Sequence, residues 1–167
     1  MLKRFLLSLM VVSVVFPAYA QSGEPRLLAK YDDWSAYMFI ENGNKVCYMI
    51  SQPTEAKGKY TSRGQIYALI TNRPAEGTRD VFSYITGYTY KPASDATVEV
   101  DGKSYSLFTQ DDTAWAPDAE SDRTLARVIQ EGSEMVVKGT SSRGTLTTDT
   151  FSLKGSSKAY QRINDEC

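Results

Sequence analysis

Between Thr97 and Phe108 apolar and polar residues alternate on both sides of Asp101-Gly102. A two-residue turn of this type accepts a positive φ at both positions and holds two strands in a fixed register. That register sets Val100 opposite Lys103, Val98 opposite Tyr105 and Ala96 opposite Leu107, so Val98, Val100, Tyr105 and Leu107 share one face. A chain patterned in this way is committed to an antiparallel sheet.

The same grammar recurs along the sequence. Trp34 to Ile40 and Lys45 to Ser51 are rich in aromatic and branched residues and flank Asn42-Gly43-Asn44, a second hairpin signal. Gln65 to Thr71 is apolar on both faces and reads as a central strand, with Pro53 to Lys59 before it as a polar excursion. Asp80 to Thr89 is expected to be a strand placing Phe82, Tyr84, Thr86 and Tyr88 on one side, with Gly87 as a bulge. The alternation fails from Gln110 to Pro117. Asp118 to Gln130 then has helical spacing of Leu125, Val128 and Ile129, and Gly132 ends it. Met135 to Thr140 and Thr145 to Leu153 resume as strands, and Ser156 is placed to cap a last helical turn carrying Ala159, Tyr160 and Ile163. About eight short strands and two short helices predict a mainly β fold, an antiparallel β-sandwich in preference to a partly open barrel. Alternating βα units are absent, which disfavours a doubly wound sheet.

The first 20 residues follow a different pattern. Lys3 and Arg4 precede the apolar run Phe5 to Phe16, and Pro17 leads into Ala18-Tyr19-Ala20. A basic start, a short apolar stretch and a small-residue site define a secretory signal peptide, here cleaved after Ala20. The run is shorter than the roughly 20 residues of a membrane-spanning helix. Residues 21–26 read as a flexible lead-in, and 27–167 as a single β domain acting in the periplasm, at the outer membrane or outside the cell. No later stretch is apolar enough to span a bilayer. A peripheral association with the outer membrane is compatible with this pattern.

Removing residues 1–20 leaves 17 basic against 20 acidic residues, net −3. A general nucleic-acid binder would lean the other way. The sequence has no histidine. Ser-His-Asp and Cys-His catalysis are thereby excluded, as are zinc sites built from Cys and His, and no cofactor or metal is implied. Cys47 and Cys167 are the two cysteines, and in an oxidising compartment they read as one disulfide. A reactive or intermolecular thiol at Cys167 is the alternative.

Carboxylates gather at Asp111-Asp112 and at Asp118, Glu120 and Asp122. Paired carboxylates can hydrolyse a glycan or hold calcium, but the calcium-loop spacing is missing, and acids near a helix start also serve the helix itself. Ser51, Ser141 and Ser142 with Lys45 or Lys138 lack the Ser-x-x-Lys arrangement of a serine–lysine nucleophile. Eleven tyrosines and two tryptophans could form a binding platform. Trp34 sits in an alternating strand and reads as core. Trp115, in the irregular segment, is the better surface candidate, with packing under the following helix as the alternative. Arg143 at a loop tip is a fork placed for an anionic group or for Asp149. Its Ser-Arg-Gly triplet repeats that at Ser62-Arg63-Gly64, which suggests two similar turns.

The segments Asp112-Thr-Ala-Trp-Ala116, Gly139-Thr-Ser-Ser-Arg-Gly144 and Thr147-Thr-Asp-Thr-Phe-Ser-Leu-Lys-Gly155, with Trp34 ahead of Cys47-Tyr48 and the export signal, resemble the invasion-associated locus B family of Gram-negative envelope proteins. The resemblance spans nearly all of the chain after the signal. It implies a small exported β protein of a family in which some members are linked to host-cell invasion, with no catalytic residues to carry over. Export, one disulfide and the missing catalytic set lead to the expectation of a non-enzymatic binding or structural protein of the periplasm or outer membrane, linked to host invasion or envelope integrity, with an unidentified envelope or host-surface component as its partner. Many relatives carry additional cysteines, so a scaffold with several disulfides is not implied here. The competing expectation is a histidine-free hydrolase using paired carboxylates on an envelope glycan.

Overall fold

The computed structural model describes residues 23–167, so the signal-peptide assignment to residues 1–20 lies outside the described residues. Eleven strands and two helices follow in chain order: β1 (Arg26–Tyr31), β2 (Trp34–Glu41), β3 (Asn44–Ser51), β4 (Glu55–Gly58), β5 (Tyr67–Arg73), β6 (Thr78–Ile85), β7 (Ala96–Val100), β8 (Lys103–Gln110), β9 (Thr113–Trp115), α1 (Ala119–Glu131), β10 (Glu134–Thr140), β11 (Leu146–Ser152) and α2 (Ser156–Glu166). The class is mainly β and antiparallel, as the pattern predicts. The strand count is larger, by β1, β4 and β9.

Each missed strand lacks the periodicity that burial would impose. All four residues of β4 are exposed, and among the described residues β11 is the one strand it pairs with. Strand β9 has three residues, too few to show an alternation. At the opposite sheet edge, β1 begins at Arg26, inside the segment expected as lead-in, and Gly23 N–H already donates to Ile40.

The strands form one sheet in the order β1-β2-β3-β5-β6-β9-β8-β7-β10-β11-β4. Its two halves are joined by β8, whose Lys103 to Leu107 pair with β7 while Phe108 to Gln110 pair with β9. The halves face each other: the Tyr84 ring of β6 meets Phe151 of β11 edge-on, and Trp34 Nε1 of β2 donates to the Ser152 carbonyl. The β7–β8 register matches the sequence expectation pair for pair, and Asp101 and Gly102 both have positive φ, 45° and 84°. Strand β6 ends at Ile85, earlier than expected. Gly87 lies beyond it with φ 75° and is a close backbone approach, not a bulge.

Asp118 caps α1 by accepting from Ser121 N–H at 2.8 Å. Ser156 has a different part from the expected cap. Gly155 in a left-handed conformation begins α2, and Ser156 Oγ donates to the Ile129 carbonyl, tying the two helices together. Helix α2 packs on β1, β2 and β3, and α1 packs on β6. Cys47, fully buried on β3, forms a disulfide with Cys167 just after α2, their Cα atoms 6.0 Å apart. Among the described residues no helix is long and apolar enough to cross a membrane.

Candidate functional site

The two Ser-Arg-Gly triplets, 80 residues apart in sequence, are brought to one cavity of about 390 Å³. Ser62, Arg63 and Gly64 of the first triplet, Ser142 and Arg143 of the second, and Tyr88 all line it. They are not similar turns, because Gly144 is left-handed at φ 83° and Gly64 is not. Nor do the two arginines play similar parts.

Arg63 is the floor of the site. Its guanidinium makes a bidentate pair with Asp149, at 2.7 and 2.6 Å, and its Nε donates to the Thr86 carbonyl. The rings of Tyr60 and Tyr88 lie 5.4 and 4.9 Å from the guanidinium carbon, within cation–π range. Tyr84 accepts from Arg63 and donates to the Asp149 carboxylate. Burial works against the Arg63 charge, but the bonds to Asp149 and the proximity of Tyr84 outweigh it, and the pKa is raised. Burial, then the Asp149 charge, drives the Tyr84 phenol well above its ordinary range, so it stays a donor. This charge is satisfied internally, and Asp149 is thus engaged by Arg63, not by Arg143.

Arg143 remains exposed at the tip of the β10–β11 loop. That loop is held by three hydrogen bonds: Ser142 N–H to the Thr89 carbonyl, Gly144 N–H to the Ser141 carbonyl, and Thr145 N–H to Ser141 Oγ. The facing segment is tied by Gly64 N–H, which donates to the Gly87 carbonyl at 2.9 Å, and by the Arg63 side chain. A Cβ on Gly87 would lie 2.5 Å from the Gly64 oxygen, so this close approach requires glycine. Lys59 is the second exposed cation of the lining. No carboxylate lines the cavity, and neither Lys59 nor Arg143 has an acidic partner among the described residues. Lys59 and the buried Arg63 network escaped sequence reasoning, although the repeated triplet was a signal for the latter.

Trp115 lies elsewhere. Register places it on a row with Ser35, Ile50, Leu69, Ser83 and Phe108, on the face of the sheet opposite Phe82 and Tyr84. It is half-buried and flanks a hollow with Phe108. Trp115 and Arg143 therefore do not share a site. On the same face Tyr37 stacks on Tyr48, ring centroids 5.4 Å apart, at the wall of a wider groove.

Of the acidic candidates, Asp118 and Asp122 turn their carboxylates to backbone N–H groups. The Asp111 and Asp112 carbonyls accept from Tyr90 and Thr86 N–H across the β8–β9 turn, while both side chains are exposed. Asp122 accepts from Phe82 N–H at 2.8 Å, and burial first, with Asp118 and Asp80 adding to it, raises its pKa. Glu120 is exposed in the first turn of α1. The serine–lysine candidates are also separated: Ser51 Oγ donates to the Asp33 carbonyl, Lys45 pairs with Glu166 at 3.0 Å, and Lys138 lies 3.7 Å from Glu99.

Residues 34–164 match the family model described as Invasion associated locus B (IalB) protein. The chain belongs to the IalB family. The match takes in both triplets, the Arg63–Asp149 pair and the whole cavity. No curated protein and no solved structure matches the chain. The family is named for its association with invasion, and membership assigns this chain no ligand.

Proposed function

We propose that this IalB-family chain is an exported protein of the periplasm or outer-membrane surface that works by binding, with the cavity between the two triplets as its ligand site. One observation carries the reading: two exposed cations and a set of hydroxyls converge on a firmly held cavity whose own buried charge is already neutralised. A volume of about 390 Å³ falls within the roughly 300–1,000 Å³ of small-molecule sites. In this reading residues 1–20 direct export, cleavage follows Ala20, and Cys47 is oxidised to Cys167 in the mature protein. The carboxylates that a glycan hydrolase would need are at turns and helix starts, away from the cavity.

Retention in the envelope tests the proposal. Fractions from cells expressing the full chain and its Arg143→Ala variant are compared for the amount of protein held by washed envelopes, with the mature N-terminus read by mass spectrometry. The wild-type protein is expected to start at Gln21 and to be retained, and the variant to be released while remaining folded. Equal retention of both would refute the cavity as the ligand site. A deletion strain scored separately for host entry and for detergent sensitivity distinguishes an invasion role from envelope maintenance.

A further inference from the structure

We infer that the cavity takes an anionic saccharide, a sugar ring carrying a phosphate or carboxylate. The inference rests on the cavity being the ligand site, as proposed above. Its first support is charge. Arg63 is spent on Asp149, so the attraction available to a ligand comes from Lys59 and Arg143, with no carboxylate in the lining to oppose an anion.

The second support is the nature of the walls. Thr61, Ser62, Thr89, Ser142 and Thr145 carry side-chain hydroxyls on the lining. Hydroxyls donate and accept, which matches the dense alternation of donors and acceptors around a sugar ring. A purely apolar ligand would leave these groups without partners, at a cost for each. A nucleic acid would call for a longer run of cations than two. Backbone bonds at Gly64 and Ser142 fix the positions of both triplets, which lowers the ordering a ligand must impose.

An amide-detected NMR titration of the oxidised mature protein tests this. The probes are glucose 6-phosphate, galacturonic acid, inorganic phosphate and glucose. Either sugar acid is expected to shift the Gly64, Gly87, Ser142 and Arg143 amides. Inorganic phosphate should bind roughly tenfold more weakly or worse, and glucose should leave the spectrum unchanged. Arg143→Gln and Lys59→Gln should each weaken the sugar acid roughly tenfold, the loss of a hydrogen bond to a charged group. A phosphorylated glycolipid in micelles is the last arm. Tighter binding than the sugar phosphate assigns the ligand to a lipid headgroup, and equal binding assigns it to a glycan held in the envelope by its own polymer.

Inorganic phosphate binding as tightly as the sugar acids would overturn the saccharide part. Glucose binding as tightly would overturn the anionic part. Silence of these amides with every probe would overturn the inference. Arg143-dependent retention in the envelope would then still stand as a separate result for the proposed function.

Discussion

Arg63 and Asp149 meet between the two halves of the folded sheet, with their side chains 4% and 0% exposed. The pair links the segment before β5 to β11 across 86 residues of sequence. Removing one partner leaves a charge buried without compensation, which costs about 3–5 kcal/mol. Arg63→Met and Asp149→Leu are each expected to fall in that range in denaturant unfolding. The double variant should lose less than the sum of the two, since it leaves no orphaned charge. Strict additivity would mean that the two charges do not depend on each other.

Gly87 and Gly102 both have positive φ, 75° and 84°, but differ in their surroundings. Nothing lies within 4 Å of a Cβ added at Gly102, whereas one at Gly87 would strike the Gly64 carbonyl. Gly102→Ala is expected to cost about 1 kcal/mol, the strain of a left-handed alanine. Gly87→Ala should cost more and shift the amide signals of Ser62 to Gly64. Melting curves and amide spectra of the two variants check this, and equal effects would contradict it.

The Cys47–Cys167 bond spans 120 residues of sequence. Chain-entropy reasoning assigns loops of this length about 4–5 kcal/mol, with measured values usually smaller. Protein from the envelope should therefore react with a thiol reagent only after reduction. Its midpoint in denaturant should fall on reduction or in the Cys47→Ala/Cys167→Ala variant. Two free thiols before reduction would refute the pairing in the cell.

Glu166 accepts from Lys45 and Arg162, and these bonds hold its pKa below the ordinary glutamate value. A carboxylate with a lowered folded pKa contributes stability that is present above its unfolded pKa. That contribution is lost as the pH falls through the folded value. Glu166→Gln should therefore lower the Tm at pH 7, with the gap to wild type closing as the pH drops below the glutamate range. A gap unchanged down to pH 2 would show that the loss is not ionic.

The hairpin at Asp101-Gly102 was legible because two turn residues and four face residues agreed on one register. Strand β4 was not legible, since an exposed edge strand needs only backbone pairing and places no demand on its side chains. For the site, Arg143 was readable as an exposed donor at a loop tip. Arg63 was not, because burial of an arginine depends on Asp149 and Tyr84, supplied by strands remote in sequence. Ser156 shows a further limit. A serine at a helix start suggests a cap, and only the placement of α1 reveals that its hydroxyl is committed to Ile129.

The position of the disulfide also governs when this domain can finish folding. A chain made from its N-terminus presents Cys47 early, while its partner follows only after α2. Until then Cys47 is a lone thiol, and in oxidising surroundings it is open to mixed disulfides with oxidoreductases. Closure thus requires that every strand and both helices have been made, and a chain cut short before α2 would leave Cys47 without its partner.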